Sequence, residues 1–436
     1  MPQAHQPHAH LPHRSLPPAR RWSLTNPKVR SGLIQLVLAG LILWLIWSFY
    51  DNAQANLAQL GVTSGFGFLD QHAGFSISQS LIPYDENMTY GRVFLIGLLN
   101  TLLVAVCGIV LATLLGFVMG VARLSGNAVI RVLSAAYVEV TRNLPPLFQI
   151  MFWYLAALAV LPGPRESWSF GLQPLMLWIG GGLEKLGLTA VGGWLMAQAA
   201  QLSAPGVFLS NRGLVMPRPV FEPGSGVVFW ALVFAVLLSV VLGRWARRRR
   251  ERTGQPFPVA LAVVALLLAL PLLAAVATGF PVRVEQPELR GFNFAGGVNI
   301  IPEFVALLLA LSIYTAGYIA EIVRAGISSV PREQVEAARA LGLRGPQLLR
   351  LVVIPQAMRV IVPPLTSQYV NIAKNSTLGV AIGYPDLVSL FAGTVLERTG
   401  LAIEIIVMIM AVYLTISLLT AGAMALYNKR IALVER

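Results

Sequence analysis

The sequence predicts an all-α polytopic membrane protein of about eight spans. Three observations lead there. Of 436 residues, 56% are hydrophobic and only 12% are charged, far from the soluble balance. Apolar runs long enough to cross a bilayer recur at 31–50, 91–121, 132–161, 226–243, 257–279, 303–327, 357–382 and 401–427. The basic residues behind the net charge of +13 gather beside these runs, as the positive-inside pattern requires, which argues against nucleic acid as a partner.

Taken in order, residues 1–30 are rich in Pro, His and Arg and are expected to be a disordered cytoplasmic tail. His5, His8, His10 and His13 lie there, and a solvated tail explains them better than a metal site. The run 31–50 is long enough to be an uncleaved first span. Residues 51–90 contain no Lys or Arg and are placed outside, as a periplasmic segment. Spans 91–121 and 132–161 follow. The block 162–225 holds two apolar stretches, Leu172 to Leu183 and Leu188 to Ala200, each too short to span. They are expected to be interfacial helices on the outer face, anchored by Trp168, Trp178 and Trp194, with two further spans as the alternative. Spans 226–243 and 257–279 flank Arg244, Arg247 to Arg250 and Arg252. Three more spans lead to the tail 428–436. With the N-terminus inside, all the Arg-rich turns and the C-terminus share the cytoplasmic side. The single cysteine, Cys107, lies mid-span, so no disulfide framework is expected.

One polar stretch, 329–359, interrupts the last three spans. Ser329 is placed to cap a helix that starts at Pro331. Good helix formers run from Glu333 to Leu341, and Gly342 supplies a left-handed stop. Pro346 is expected to start a second short helix and Pro355 to close it. Val335, Ala338 and Leu341 fall along one face, with Arg332 and Arg339 pointing elsewhere. Such a knob suits a groove on a soluble partner.

Glu336-Ala337-Ala338, then Gly342, then Ile354-Pro355, resemble the EAA loop of permease subunits of ABC importers. The lead-in Tyr318 to Ile327, with Glu321, Arg324 and Gly326, is similar to the polar amino-acid branch, although Glu333-Gln334 stands where that branch usually has Gly-Gln. Gly97 to Leu102, the segment Tyr137 to Gln149 with Glu139, Arg142 and Pro145, and Lys374 to Leu378 are similar to the same branch. The resemblance implies a MetI-like core of five spans, divided between 91–161 and 303–427. It also implies an extra N-terminal span and an insertion, 162–302, carrying a periplasmic segment and two spans. That layout most resembles the larger permease subunit of the general L-amino-acid (Aap/Bzt-type) importers. The resemblance further implies that Glu336, Ala337, Ala338, Gly342 and Pro355 couple to an ABC ATPase subunit. The implied partners are that ATPase, a second permease (copy or paralogue), a periplasmic substrate-binding protein and membrane lipids, in a bacterial inner membrane. No cofactor is expected in this chain, since ATP would be bound by the separate subunit.

Charges inside spans are costly and usually face a bundle interior or water. Glu139 and Arg142, and Glu321 and Arg324, are each three apart and able to neutralise one another. Lys374 lies deeper in its span beside Asn371, Asn375, Ser376 and Thr377, downstream of Pro363-Pro364, which are expected to break the helix around a cavity. Lys374, Asn375, Ser376, Thr377, Glu139, Arg142 and Gln149 are therefore candidates for the translocation path, with packing locks as the alternative. Asn100 and Gln149 are weaker, because intramembrane amides often join helices. No G-x-x-x-x-G-K-[ST] motif occurs, and no Ser/His/Asp set or metal cluster lies in the spans, so a non-catalytic subunit is expected. An ion-driven secondary transporter would explain the intramembrane charges but gives the EAA-like loop no purpose. An intramembrane enzyme lacks a catalytic constellation.

Overall fold

The computed structural model describes residues 27–59, 65–185, 187–201, 206–255 and 257–431, so most of the two expected tails lies outside the described residues. Helix α1 (Pro27–Gln59) forms a unit by itself. Its 33 residues run beyond the expected span 31–50 into the segment expected to be a loop. It is apolar on every side, with Leu36 and Trp47 both exposed, as a lipid-facing helix must be.

The remaining unit opens with α2 (Tyr90–Ala122), α3 (Ala128–Asn143) and α4 (Pro146–Val160). The expected single span 132–161 is not continuous: α3 and α4 meet at 105°. Pro145 and Pro146 cannot donate to the preceding turn, and Leu144 before them is held extended at φ −91°, ψ 128°. Gln149 repairs the break, its Nε2 donating to the carbonyls of Thr141 (2.9 Å) and Leu144 (3.1 Å). With this bent pair as one span, the described residues hold up to 8 helical crossings, otherwise 7.

The insertion that follows is built around short strands that the hydropathy pattern hid. It runs β1 (Trp168–Phe170), α5 (Gln173–Lys185), α6 (Thr189–Gln201), β2 (Val207–Ser210), β3 (Gly213–Met216), β4 (Arg218–Phe221), α7 (Ser225–Thr253), α8 (Val259–Ala277), β5 (Val282–Glu285), β6 (Glu288–Arg290), β7 (Asn293–Ala295) and β8 (Val298–Ile300). As expected, α5 and α6 are too short to span; they pair closely where Gly180 faces Gly192 and Met196. The strands form an antiparallel sheet in the order β1-β2-β3-β8, with β4 pairing β5 and β6 pairing β7. Ion pairs Arg218–Glu285 (2.8 Å) and Arg283–Glu222 (3.0 Å) hold β4 to β5, and so clamp one end of the α7–α8 hairpin. Of the three expected tryptophan anchors, Trp168 and Trp178 are exposed, while Trp194 stacks on Phe280 at 5.2 Å.

The chain then forms α9 (Pro302–Ser328), α10 (Arg332–Ala340), α11 (Gly345–Leu348), α12 (Ile354–Asn375), α13 (Leu396–Thr399) and α14 (Ala402–Ile431). Helix α9 is the hub, packed by α2, α3, α4 and α12. Small residues make this possible, since lipid gives apolar helices no hydrophobic reason to associate and close backbone packing must supply one. A methyl group on Gly116 would lie 2.6 Å from the Ile319 side chain, and one on Gly120 would lie 2.8 Å from the Ala320 carbonyl. Gly317 and Gly326 do the same for α3 and α12, where a Cβ would meet Thr141 Oγ1 at 2.5 Å and Ile361 at 2.3 Å. At the other end of α2, Asn100 Nδ2 donates to the carbonyls of Gln79 (3.0 Å) and Pro385 (2.9 Å), and Thr101 Oγ1 accepts from Leu387 N (3.1 Å). Asn100 therefore ties helix to loop.

Gly120→Leu is expected to separate α2 from α9, since overpacking of this kind costs about 1–3 kcal/mol or more. Gly126→Ala, where nothing lies within 4 Å of the added Cβ, is the control. The amount of monodisperse protein after detergent extraction measures the difference, and equal yields would contradict the packing account.

Candidate functional site

The polar EAA-like segment begins where α9 ends. Ser329 does not cap the next helix; its Oγ donates back to the Gly326 carbonyl at 2.8 Å. Pro331, extended at φ −58° and ψ 136°, instead turns the chain into α10. The helix ends as Gly342 predicts. Gly342 sits at φ +78°, its N–H bonds the Arg339 carbonyl (2.9 Å), and Leu343 N–H bonds the Ala338 carbonyl (3.2 Å). These two bonds make a Schellman closure.

Ala338 and Val335 join the apolar cluster that also holds Ile319, Val323, Val353 and Ile361, and α10 packs against α11 and the π-helical turn that leads into α12. Leu341, expected on that inward face, is turned out and 83% exposed, and Leu343 takes its place. Six residues of helical rotation leave Leu341 about 120° round from Val335, and the αL turn at Gly342 then carries Leu343 back onto the cluster. Glu336, Ala337, Arg332 and Arg339 are exposed beside Leu341, an outward surface with one apolar point among charges. Pro355 does not close the second helix. A π-helical turn, Leu349–Val353, absorbs the missing donor, and Pro355 lies in the first turn of α12. The segment after the Gly342 elbow is thus continuous with a span.

Directly behind this knob lies a three-membered charge cluster. Glu321 accepts from Arg324 Nε at 3.2 Å, the i,i+3 pair foreseen, and also pairs with Arg123 at the end of α2. The carboxylate is therefore shared between two helices. The other expected pair does not form: Glu139 is exposed, and no ion pair joins it to Arg142 among the described residues.

Arg142 instead projects from the last turn of α3, beside the 105° bend. Its guanidinium lies 5.1 Å from the centre of the Tyr318 ring, and its buried Nε has no hydrogen-bond acceptor. Tyr318 and Tyr314, one turn apart on α9, place their hydroxyls 3.3 Å from each other. The close approach of Gly317 to Thr141 sets this group halfway along α9.

The stretch around Lys374 is rearranged relative to expectation. Pro363 and Pro364 lie inside α12 without breaking it; the irregular backbone comes afterwards, as a 3₁₀ segment, Ser376–Ile382. Lys374 and Asn371 are exposed on the chain's surface, whereas Ser376 is fully buried and donates to the Ala373 carbonyl at 2.8 Å. Thr377 Oγ1 donates to the Lys374 carbonyl, also at 2.8 Å, and Asn375 is half-buried. Ser376 therefore does not hold the ammonium. Gln149 is buried, and its amide nitrogen is engaged at the bend.

Three groups escaped sequence reasoning. Nothing local in the sequence points Arg123 at Glu321. Tyr314 and Tyr318 were legible as an i,i+4 pair but gained meaning only from Arg142. Asp386 is fully buried; it accepts from Ser389 N (2.7 Å) and Tyr413 Oη (3.4 Å), pinning α14 near Asn100.

Comparison with known proteins agrees with this architecture. Residues 226–433 match the family described as binding-protein-dependent transport system inner membrane component. The chain is 50% identical over 417 residues to the putative amino-acid ABC transporter permease protein YhdX of Escherichia coli, covering 95% of this chain and 97% of that one. It is 46% identical over 416 residues to the general L-amino acid transport system permease protein AapQ of Rhizobium johnstonii (95% and 96% covered). With the glutamate/glutamine/aspartate/asparagine transport system permease protein BztB of Rhodobacter capsulatus it shares 39% identity over 431 residues (94% and 96%).

Removing one carboxylate tests the charge cluster. Glu321→Gln leaves two guanidiniums facing each other and is expected to cost about 1–2 kcal/mol, between surface and buried limits. Glu139→Gln, which breaks no pair, is expected to leave thermal unfolding in detergent unchanged. Equal unfolding temperatures for the two variants would refute the shared-carboxylate role.

Proposed function

The chain belongs to the amino-acid permease family of binding-protein-dependent ABC importers, and from that premise we propose how its residues divide the work. It is a multi-pass inner-membrane subunit that carries out no catalysis itself. ATP is bound by a separate ATPase, and a binding protein delivers the cargo. In this reading the divisions 1–30, 31–50, 51–90, 91–161, 162–302, 303–427 and 428–436 are functional as well as sequential, with both termini in the cytoplasm. Clustering of Arg residues beside the spans supports that orientation.

Coupling falls to the outward face of α10. Glu336, Ala337 and Leu341 enter a groove on the ATPase, while Ala338 keeps the helix seated and Gly342 sets the elbow. Support comes from the seating: α10 packs into the same apolar cluster as the ends of α9 and α12, so a push on α10 moves the spans as a lever.

Amino-acid recognition falls to Arg142. A cation at mid-span normally has an anionic partner, and none lies within ion-pair reach among the described residues. The guanidinium has an aromatic face and an orphan Nε at a helix break, where backbone is irregular and a cavity is tolerated. The single observation carrying this reading is a guanidinium at the bend with no carboxylate partner among the described residues, which leaves its charge for a substrate carboxylate. Lys374, Asn375 and Thr377 line the same path from a surface that a second permease, copy or paralogue, covers. Glu139 remains available there for a substrate ammonium. The insertion, with its four-stranded sheet at the start of α9, meets the binding protein.

Glu336→Lys is expected to abolish uptake and ATPase co-purification with membrane insertion intact; normal uptake would sink the coupling role. Arg142→Met is expected to cut uptake at least tenfold at unchanged protein level, while Arg142→Lys retains part of it with raised KM. If Arg142→Met instead transports normally per folded molecule, the carboxylate is bound elsewhere.

A further inference from the structure

Helix α7 is one uninterrupted rod from Ser225 to Thr253, closed by Gly254 at φ +70°. Its apolar stretch ends at Leu242, and the same rod then carries Arg244, Arg247, Arg248, Arg249, Arg250 and Arg252 against one acid, Glu251. The span expected at 226–243 therefore does not stop at the arginines. Thr253 Oγ1 donates to the Arg249 carbonyl at 2.8 Å, so the last turn is held in helical form. None of these arginines is ion-paired among the described residues, and all but the half-buried Arg249 are exposed. Arg249 lies over the Trp245 ring at 5.3 Å, and Trp245 meets Phe257 edge-on at 5.4 Å, an aromatic anchor at the foot of the charged segment.

Two ordinary explanations cover part of this. The helix macrodipole favours one or two cations in a last turn, and membrane orientation requires cations on one side. Neither calls for six arginines on a rigid rod with so little opposing charge. At about 100° per residue, they surround the helix and leave one gap, at Ala246. That residue is buried, the side by which α7 packs. From Arg244 to Arg252 the axis advances about 12 Å, enough to cross a headgroup layer.

We propose that the end of α7 is a collar that binds the phosphates of anionic phospholipids. A protein surface approaches a rod from one side, whereas these guanidiniums point to nearly all sides, as the lipids around a membrane helix do. Arg suits this ligand because its planar fork takes two phosphate oxygens at once. Trp245 sets the depth of the ring at the membrane boundary.

The full chain is reconstituted in nanodiscs containing equal parts phosphatidylglycerol and phosphatidylcholine, and the lipids retained on gentle release are counted by native mass spectrometry. Both disc faces carry the same lipids, so the readout is independent of insertion orientation. The wild type is expected to retain phosphatidylglycerol about fivefold over phosphatidylcholine. The R247Q/R248Q/R250Q/R252Q variant is expected to fall towards parity, and the corresponding four-lysine variant to keep an intermediate preference. Should the Gln variant not fold, the wild-type preference must fall as salt is raised; a salt-independent preference overturns the proposal. Equal retention of both lipids by the wild type overturns it too. So does loss of ATPase co-purification in the Gln variant with an unchanged lipid ratio, which would assign the collar to a protein partner.

Discussion

The contact on which the rest depends is the close approach of α2 to α9, where Gly116 and Gly120 admit Ile319, Val323 and the carbonyls of Ala316 and Ala320. Inside a bilayer, burying apolar side chains gains little, because lipid is as apolar as leucine. Backbone proximity and dispersion must then hold the helices, and these fall steeply with distance. One consequence is local and electrostatic: the approach brings Arg123 to Glu321, which α9 already shares with Arg324. Another is mechanical, since α9 continues directly into the seat of α10.

The polar groups of the core sort into committed and uncommitted ones. Asn100, Thr101, Asp386 and Tyr413 bind one another or the backbone and lock the end of the bundle opposite the EAA-like loop. Arg123, Glu321 and Arg324 tie the end of α2 to α9 near the EAA-like loop. Between the two locks lies the α3–α4 bend, with Gln149 spent on holding the break and Arg142 left unmatched. The insertion stands apart in kind. Its strands are stabilised by main-chain pairing and exposed ion pairs, the chemistry of an aqueous surface, and such pairs each contribute little.

The sequence by itself determined what depends on local chemistry. The spans follow from run length and hydropathy, and the Gly342 stop from the need for a positive φ at that turn. The i,i+3 pair Glu321–Arg324 follows from helix periodicity. The EAA-like loop was legible for the same reason: proline, helix formers and glycine act within a few residues. Tertiary structure decided whatever depends on two distant segments meeting. Leu343 rather than Leu341 joins the apolar cluster because the αL residue Gly342 redirects the chain after the helix has ended. Pro355 fails to end a helix because a π turn upstream absorbs its missing donor, and Pro363-Pro364 are carried by a helix packed on α9 and α14. The strands of the insertion were hidden because each is too short to show a period of two and pairs with a partner far along the chain, as β3 does with β8. Arg123 lies just past one expected span and Arg142 inside another, and nothing local in the sequence tells which of them meets a carboxylate. One is neutralised and the other is not, because only the packing of α2 and α3 against α9 decides which guanidinium meets a carboxylate.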